Sequence, residues 1–262
     1  MPGPHSQDHA RVRVEWGPVG AVHTLDAATT AVIVDVLSFT TTLSVAVDIG
    51  AEVYPYRWAD DSAVEFARRH DATLAVGRLE AQRPGNVATV SLSPQSVQAA
   101  HGLSRLVLPS PNGSTISAQV AGAGADVLAA SLRNRSAVAR WLAERLATEP
   151  ETAVTLVAAG ERWPDGSLRP AVEDLWGAGA VVSALLSQGV TSMSPEAHTA
   201  AAAFDAVRSS IAQALSTCSS GRELTIAGFG ADVAVAAEVD VSVGVPMLVD
   251  LRFIDAAAAG NH

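Results

Sequence analysis

Asp35 closes the run AVIVD, four apolar residues followed by an acid. A carboxylate at the end of a buried strand needs a partner to offset its desolvation. The residues that follow, VLSFTTT, put Thr40, Thr41 and Thr42 at a helix start. Two other stretches repeat this layout of apolar strand, polar turn and helix. In RLVLPSPNGSTISAQ the turn holds Asn112, Gly113, Ser114 and Thr115. In TLVAAGERWPDGSLRPAVEDLWGAGA a strand ends in Ala158-Ala159-Gly160, a loop carries Glu161, Arg162 and Arg169, and a helix opens with Glu173-Asp174.

Helix amino termini present free N–H groups and the positive end of a dipole, so such turns suit phosphate or a similar oxyanion. Carboxylates among them would repel that anion unless a cation lay between. Asp35, Glu173 and Asp174 are the hard oxygen ligands that Mg²⁺ takes, which points to a Mg²⁺-bridged phosphoester. Each feature also has a plainer reading. Thr40 to Thr42 can cap a helix, Glu173 and Asp174 can complement its dipole, and Asn112-Gly113 is a common turn signal.

Positioning these clusters requires strands that end together. Short β-branched runs alternate with longer alanine-rich stretches of helical period, the pattern of a sheet covered on both faces by helices, hence an α/β fold. Strands are predicted at Val12–Trp16, Ala31–Val36, Glu52–Tyr56, Leu74–Val76, Arg105–Leu108, Asp126–Ala129, Val154–Ala158 and Pro246–Leu251. Helices are predicted at Thr41–Ile49, Asp60–His70, Thr115–Ala121, Arg135–Ala147, Glu173–Ser187, Pro195–Thr217 and Ala231–Ala237. Parallel strands would bring the three clusters to one edge. No repeat or Pro/Ser-rich linker divides the chain, so residues 11–255 read as one domain between loose tails at 1–10 and 256–262.

Composition narrows the chemistry further. All 17 basic residues are arginine, which removes Schiff-base enzymes, pyridoxal phosphate attachment and the P-loop lysine. Cys218 is the single cysteine, so intramolecular disulfides and cysteine-rich zinc sites are out and a reducing compartment fits. The net charge of −10 opposes nucleic acid or an anionic membrane as the main partner. The start MPGPHSQDHA has no signal-peptide character and no segment is long and apolar enough to span a bilayer, so a cytoplasmic protein is expected.

Rival motifs fail on inspection. There is no G-x-S-x-G elbow, and Gly122-Ala123-Gly124 and Gly228-Phe229-Gly230 both lack the third glycine of a dinucleotide loop, with Val127 and Val233 in its place. Asp35-Val36-Leu37 has no second acid two residues on, unlike the aspartyl-phosphate phosphatase motif. The seven histidines show no metal-ligand spacing. Trp58, Trp141, Trp163 and Trp176 are scattered as packing residues, with Trp163 placed in the third loop to close over a ligand.

Read together, VDVLSFTTTLSVAVDIGA, PNGSTISA, SLRNRSAVARWL, VAAGERWPDGSLRPAVEDLWGAGAVVSALL and GFGADVAVAAEVDVSVGVPML resemble the 2-phosphosulfolactate phosphatase (ComB) family over about Thr30 to Val249. That family removes phosphate with Mg²⁺ in coenzyme M biosynthesis. The resemblance implies a three-layer α/β/α fold around a mixed, largely parallel sheet. Asp35, Thr41, Thr42, Asn112, Gly113, Glu173 and Asp174 match its pattern. The chain departs from the family at Ser38, where arginine is usual, at Gly77-Arg78, where glutamate follows the glycine, and at Leu92-Ser93-Pro94, where asparagine precedes Ser-Pro. The exchange at Ser38 and Arg78 reads either as a relocated anion clamp or as a changed substrate.

The expectation is therefore a Mg²⁺-dependent phosphomonoesterase acting on a small anionic phosphorylated hydroxy acid. Asp35, Glu173 and Asp174 form its metal and catalytic set, and Thr41, Thr42, Arg78, Asn112, Gly113, Ser114, Thr115 and Arg162 its substrate set. A homodimer is left open. The competing expectation is a family member that has lost catalysis and binds anions or partners. A weaker third is a nucleotide-using α/β enzyme.

Overall fold

The computed structural model describes residues 5–26, 28–57, 60–83, 85 and 88–259. Trp58 and residues 1–4 and 260–262 of the two expected tails lie outside the described residues. Strands form at β1 (Val12–Trp16), β2 (Thr29–Val34), β3 (Glu52–Tyr56), β4 (Thr73–Leu74), β5 (Arg105–Pro109), β6 (Asp126–Ala130), β7 (Ala153–Ala158), β8 (Glu161–Arg162), β9 (Leu168–Arg169), β10 (Pro246–Val249) and β11 (Arg252–Asp255). The first seven helices are α1 (Gly17–Thr24), α2 (Phe39–Asp48), α3 (Asp61–Arg69), α4 (Arg78–Ala81), α5 (Pro94–Gln98), α6 (Gly113–Gly122) and α7 (Arg135–Thr148). The rest are α8 (Val172–Ser187), α9 (Pro195–Val207), α10 (Ile211–Thr217), α11 (Ser219–Ile226), α12 (Gly230–Ala236) and α13 (Ala256–Ala259).

Two expected elements are corrected. The helix predicted over Pro195–Thr217 breaks at a 3₁₀ turn, Arg208–Ser210, into α9 and α10. The strand predicted over Pro246–Leu251 stops at Val249 and reverses through Asp250 and Leu251, both at positive φ, into β11. The short RFID run of β11 gains its strand conformation from pairing with β10 and β3, which no local pattern discloses. Helices α1, α4, α5, α11 and α13 fall outside the predicted set, being too short to show a period.

Among the described residues nine strands form one sheet in the order β1-β7-β2-β6-β10-β11-β3-β5-β4, while β8 and β9 make a separate hairpin. Ladders are parallel within β1-β7-β2-β6 and within β3-β5-β4. The three junctions β6/β10, β10/β11 and β11/β3 are antiparallel. Three reversals make the second block run opposite to the first. The expectation that the clusters meet because their strands are parallel is thus corrected: β2 and β7 are parallel neighbours, but β5 runs the other way.

In a flat sheet β2 and β5 would stand five strand spacings apart, about 24 Å. The Gly113 amide just after β5 nonetheless reaches the Asp35 carboxylate just after β2, at 3.2 Å. The sheet therefore coils, and the junctions β6/β10 and β11/β3 are held by one antiparallel pair each, Met247/Leu128 and Phe253/Val53.

Helices cover both faces, giving a three-layer α/β/α fold. Every residue of β2 is buried, because alternate side chains enter different cores. Val32 and Val34 pack with Leu142, Val181, Leu185 and Phe204 of α7, α8 and α9, while Ala31 and Ile33 pack with Leu43 and Ile116 of α2 and α6. Each such aliphatic side chain contributes about 1.5–3 kcal/mol by leaving water. Helices α8 and α9 approach so closely that a Cβ on Gly179 would lie 1.9 Å from the Ala200 carbonyl oxygen. Within the stretches read as tails, Gln7 is buried and donates to the Val14 carbonyl at 3.0 Å, and the Ala256 amide donates to the Val245 carbonyl at 2.8 Å. No helix among the described residues is long and apolar enough to cross a membrane.

Candidate functional site

The turn from β2 into α2 is locked by its own hydroxyls. Thr40 Oγ1 donates to the Asp35 carbonyl at 2.8 Å and accepts from the Asp35 amide at 3.1 Å. Thr41 Oγ1 donates to the Val36 carbonyl at 2.8 Å, and Thr42 Oγ1 to the Leu92 carbonyl at 3.1 Å. The peptide joining Leu37 to Ser38 in this turn is cis. Held this way, the Asp35 carboxylate accepts from the Phe39 amide through Oδ1 and from the Gly113 amide through Oδ2, each at 3.2 Å. Bonds of this charged kind are worth about 1.5–3 kcal/mol each.

Only glycine fits at position 113. A Cβ there would lie 2.2 Å from the Phe39 ring and 3.0 Å from Asp35 Oδ2. The preceding Asn112 does not cap α6. Its amide Nδ2 donates to Glu161 Oε2 at 3.0 Å, linking the end of β5 to the loop after β7. Asp35, Asn112 and Glu161 thus share one cavity of about 160 Å³, completed by Ser38, Thr42, Arg78 and Ser110 and by apolar Leu37, Phe39 and Leu92.

Electrostatics set these acids apart from surface carboxylates. Burial pushes Asp35 up to about 7; the charges of Glu161 and Glu173 add to this, and the two amides only partly oppose it. Glu161 is raised as well, mainly by burial, against the pull of Asn112 and Arg169. Two buried acids at one cavity, both with raised proton affinity, invite a proton or a cation.

Arg78, at the start of α4, supplies a fixed cation to the same space. Its Nε donates to Asp232 Oδ2 at 2.7 Å, and its Nη2 donates to Ser38 Oγ. Asp232 is buried in the first turn of α12, and its other oxygen accepts from Ser93 Oγ. The guanidinium also lies 5.9 Å from the centre of the Phe229 ring. Residue 78 therefore sets its guanidinium against the side chain of residue 38.

Glu173 and Asp174 lie behind the cavity and line neither it nor its neighbour. Asp174 accepts from the Val36 amide through Oδ1 and the Gly160 amide through Oδ2, both at 2.8 Å, tying the turn after β2 to the turn after β7. Its proton affinity is raised by burial and then by Asp35 and Glu173. Glu173 is buried beside the Cys218 thiol, which burial and that carboxylate push up to about 11. Among the described residues no group of three or more His, Cys, Asp or Glu side chains is arranged to hold a metal ion.

Of the expected substrate set, Thr42, Arg78 and Asn112 face the cavity. Gly113 contributes its amide to Asp35. The Thr41 and Ser114 hydroxyls turn inward, the latter donating to the Leu108 carbonyl at 3.2 Å, and the Thr115 hydroxyl is buried without a partner. Arg162 and Asn112 line an adjacent cavity. Trp163, half-exposed under the Arg169 guanidinium, lines neither cavity, whereas Trp141 and Trp176 pack on the core. Sequence reasoning left out Glu161, Ser110 and Asp232 as site residues. Glu161 carried a signal, an acid immediately after Ala158-Ala159-Gly160.

Taken together the cavity offers an arginine for an oxyanion, an amide side chain and two cation-hungry carboxylates, an arrangement suited to phosphoryl chemistry. Comparison with known proteins agrees. A family model described as 2-phosphosulpholactate phosphatase matches residues 19–250. A protein of Thermus thermophilus described as a probable 2-phosphosulfolactate phosphatase is 32% identical over 217 residues, covering 82% of this chain and 86% of that relative.

Proposed function

The chain belongs to the 2-phosphosulfolactate phosphatase family, and from that premise we propose that it is a Mg²⁺-dependent phosphoric monoester hydrolase acting on a small phosphorylated hydroxy acid. The observation that carries this reading is the single cavity shared by Asp35, Glu161, Asn112 and the Arg78 guanidinium.

The donor set fits a hard divalent cation. Burial raises the proton affinity of both Asp35 and Glu161, and Glu161 raises that of Asp35 further; an ion between them would relieve this. In this reading Asp35 and Glu161 hold the metal, with the Asn112 side-chain oxygen beside them. Glu161 takes the place expected of Glu173 and Asp174, which support the site from behind. A bound Mg²⁺ supplies a Lewis acid for the phosphoryl oxygens.

The chain's own residues do the rest. Arg78 draws the anionic substrate in, and because Asp232 and Ser38 hold its Nε and Nη2, it binds without a search of rotamers. Asn112, fixed by Glu161, orients the phosphoryl group, and the Phe39 and Gly113 amides keep the Asp35 carboxylate aimed at the cavity. The family's reaction acts on 2-phosphosulfolactate, on the route to coenzyme M. With Ser38, Arg78 and Leu92 in the cavity wall, substrate recognition here has drifted from that compound while phosphate handling persists. A cytoplasmic location is proposed with it, since the one thiol is buried and unpaired.

The test is phosphate release from a panel of phosphorylated hydroxy acids, including 2-phosphosulfolactate, with Mg²⁺ and with a chelator. Release that stops on chelation and is faster with another member of the panel supports the whole reading. No release from any member overturns it, release that survives chelation removes the metal, and 2-phosphosulfolactate as the best substrate removes the drift.

A further inference from the structure

We propose that the cavity on the far side of the Asn112–Glu161 bond is a binding site for an apolar group, up to the size of an aromatic ring, on the organic part of the substrate. The proposal rests on the phosphatase reading for its orientation. Asn112 and Glu161 line both cavities, so a phosphoester seated beside Asp35 and Arg78 has its organic part directed at the second.

This second cavity is about 240 Å³ and is walled by α1, α6 and the β8–β9 hairpin. Trp16, Pro18, Val19, Ile116, Ala159 and Leu168 make its lining mainly apolar. A void of about 150 Å³ with such walls already accepts benzene. Its one lining cation, Arg162, stands at the mouth on the hairpin, where its Nη1 donates to the Gly166 carbonyl at 3.1 Å.

The wall is also firmly seated. Leu168 rests on two glycines at positive φ, Gly17 and Gly160, where a Cβ would approach its Cδ1 to 3.2 and 2.7 Å. A side chain at Gly160 would force Leu168 to shift, and one at Gly17 would crowd it. A sulfonate placed here would lose its hydration against aliphatic carbon, whereas a phenyl or branched alkyl group would gain by leaving water. The geometry thus selects a phosphorylated 2-hydroxy acid with an apolar side chain.

The experiment compares the full-length enzyme with Mg²⁺ on 2-phospho-3-phenyllactate and 2-phospholactate. In parallel, calorimetric titration with benzylphosphonate and methylphosphonate reads binding without turnover. A preference for the ring of about tenfold or more is expected in kcat/KM and in affinity. Val19→Arg, at a position 70% exposed and so tolerant of charge, should lower that preference severalfold, and Leu168→Met should preserve it. Equal values for ring and methyl, or a preference unmoved by Val19→Arg, overturn the site. If neither ester is hydrolysed the phosphatase reading fails, and the phosphonate titration alone then decides the cavity.

Discussion

The turn after β2 and the first turn of α8 each bury an aspartate that accepts two backbone amides, yet they are built for different work. Asp35 spends its oxygens on Phe39 and Gly113 and still faces the cavity. Asp174 spends its oxygens on Val36 and Gly160 and faces only protein. Burial, charge and hydrogen-bond count are alike in the two. What separates them is access to the space where a ligand can sit, so a buried acid lines a cavity at one turn and ties two turns together at the other.

Replacing each acid with its amide tests that contrast most severely. Asp35→Asn is expected to lower kcat by about 10³-fold or more and, since its Nδ2 cannot accept from both Phe39 and Gly113, to lower the melting temperature by several degrees as well. Asp174→Asn should show the loss of stability with kcat changed little. Its Nδ2 cannot accept, so one of the Val36 and Gly160 amides is left unpaired at a cost of about 1–3 kcal/mol, seen as a melting temperature lower by several degrees. Phosphate-release kinetics beside thermal denaturation would check both. Similar losses of activity at matched foldedness would erase the distinction.

A smaller effect is expected one step from the cavity. Asp232→Asn leaves the Arg78 guanidinium without its buried partner charge, so KM should rise about tenfold with kcat changed little. A fall in kcat at constant KM would instead place Arg78 in the chemical step.

The pH dependence of stability sharpens the comparison further. Asp35 titrates near 7 in the folded chain against 3.8 as its ordinary value. Between those values the native state holds a proton that the unfolded state has released. In the metal-free protein the contribution of Asp35 to stability should therefore be fully present below about pH 4, fall as pH rises to about 7, and level off above. Denaturant titrations across that range should show stability falling more steeply, or rising less, in the wild type than in Asp35→Asn. The same pH dependence in both proteins would contradict the burial of this acid.

The least effect is expected at Thr41, whose hydroxyl donates to the Val36 carbonyl. Thr41→Val should cost about 1 kcal/mol of stability by denaturant titration. A large rise in KM would return Thr41 to the substrate's wall.

Much of this was legible in sequence because it is local. The limits of β1 and β3 match the predicted Val12–Trp16 and Glu52–Tyr56, and each of the three polar turns is marked by the strand that feeds it. What escaped depends on pairing across distance. The Arg78–Asp232 contact spans 154 positions, and neither residue stands in a telling neighbourhood. The choice between Glu161 and Asp174 as the acid at the cavity turns on which way a loop and a helix start face. The reversal of the second strand block follows from β11, whose RFID run has little periodicity of its own. Even α1 hides behind Gly17-Pro18, a pair that reads as a turn although proline suits a helix's first position.

Among the described residues the β10–β11 ribbon, at residues 246–255, is the only bridge between the two strand blocks. The chain before Pro246 carries all three polar turns but has no seam to join its halves. A polypeptide stopped before Pro246 should keep most of its helices and be unable to bring Gly113 to Asp35, making this ribbon the keystone of the cavity.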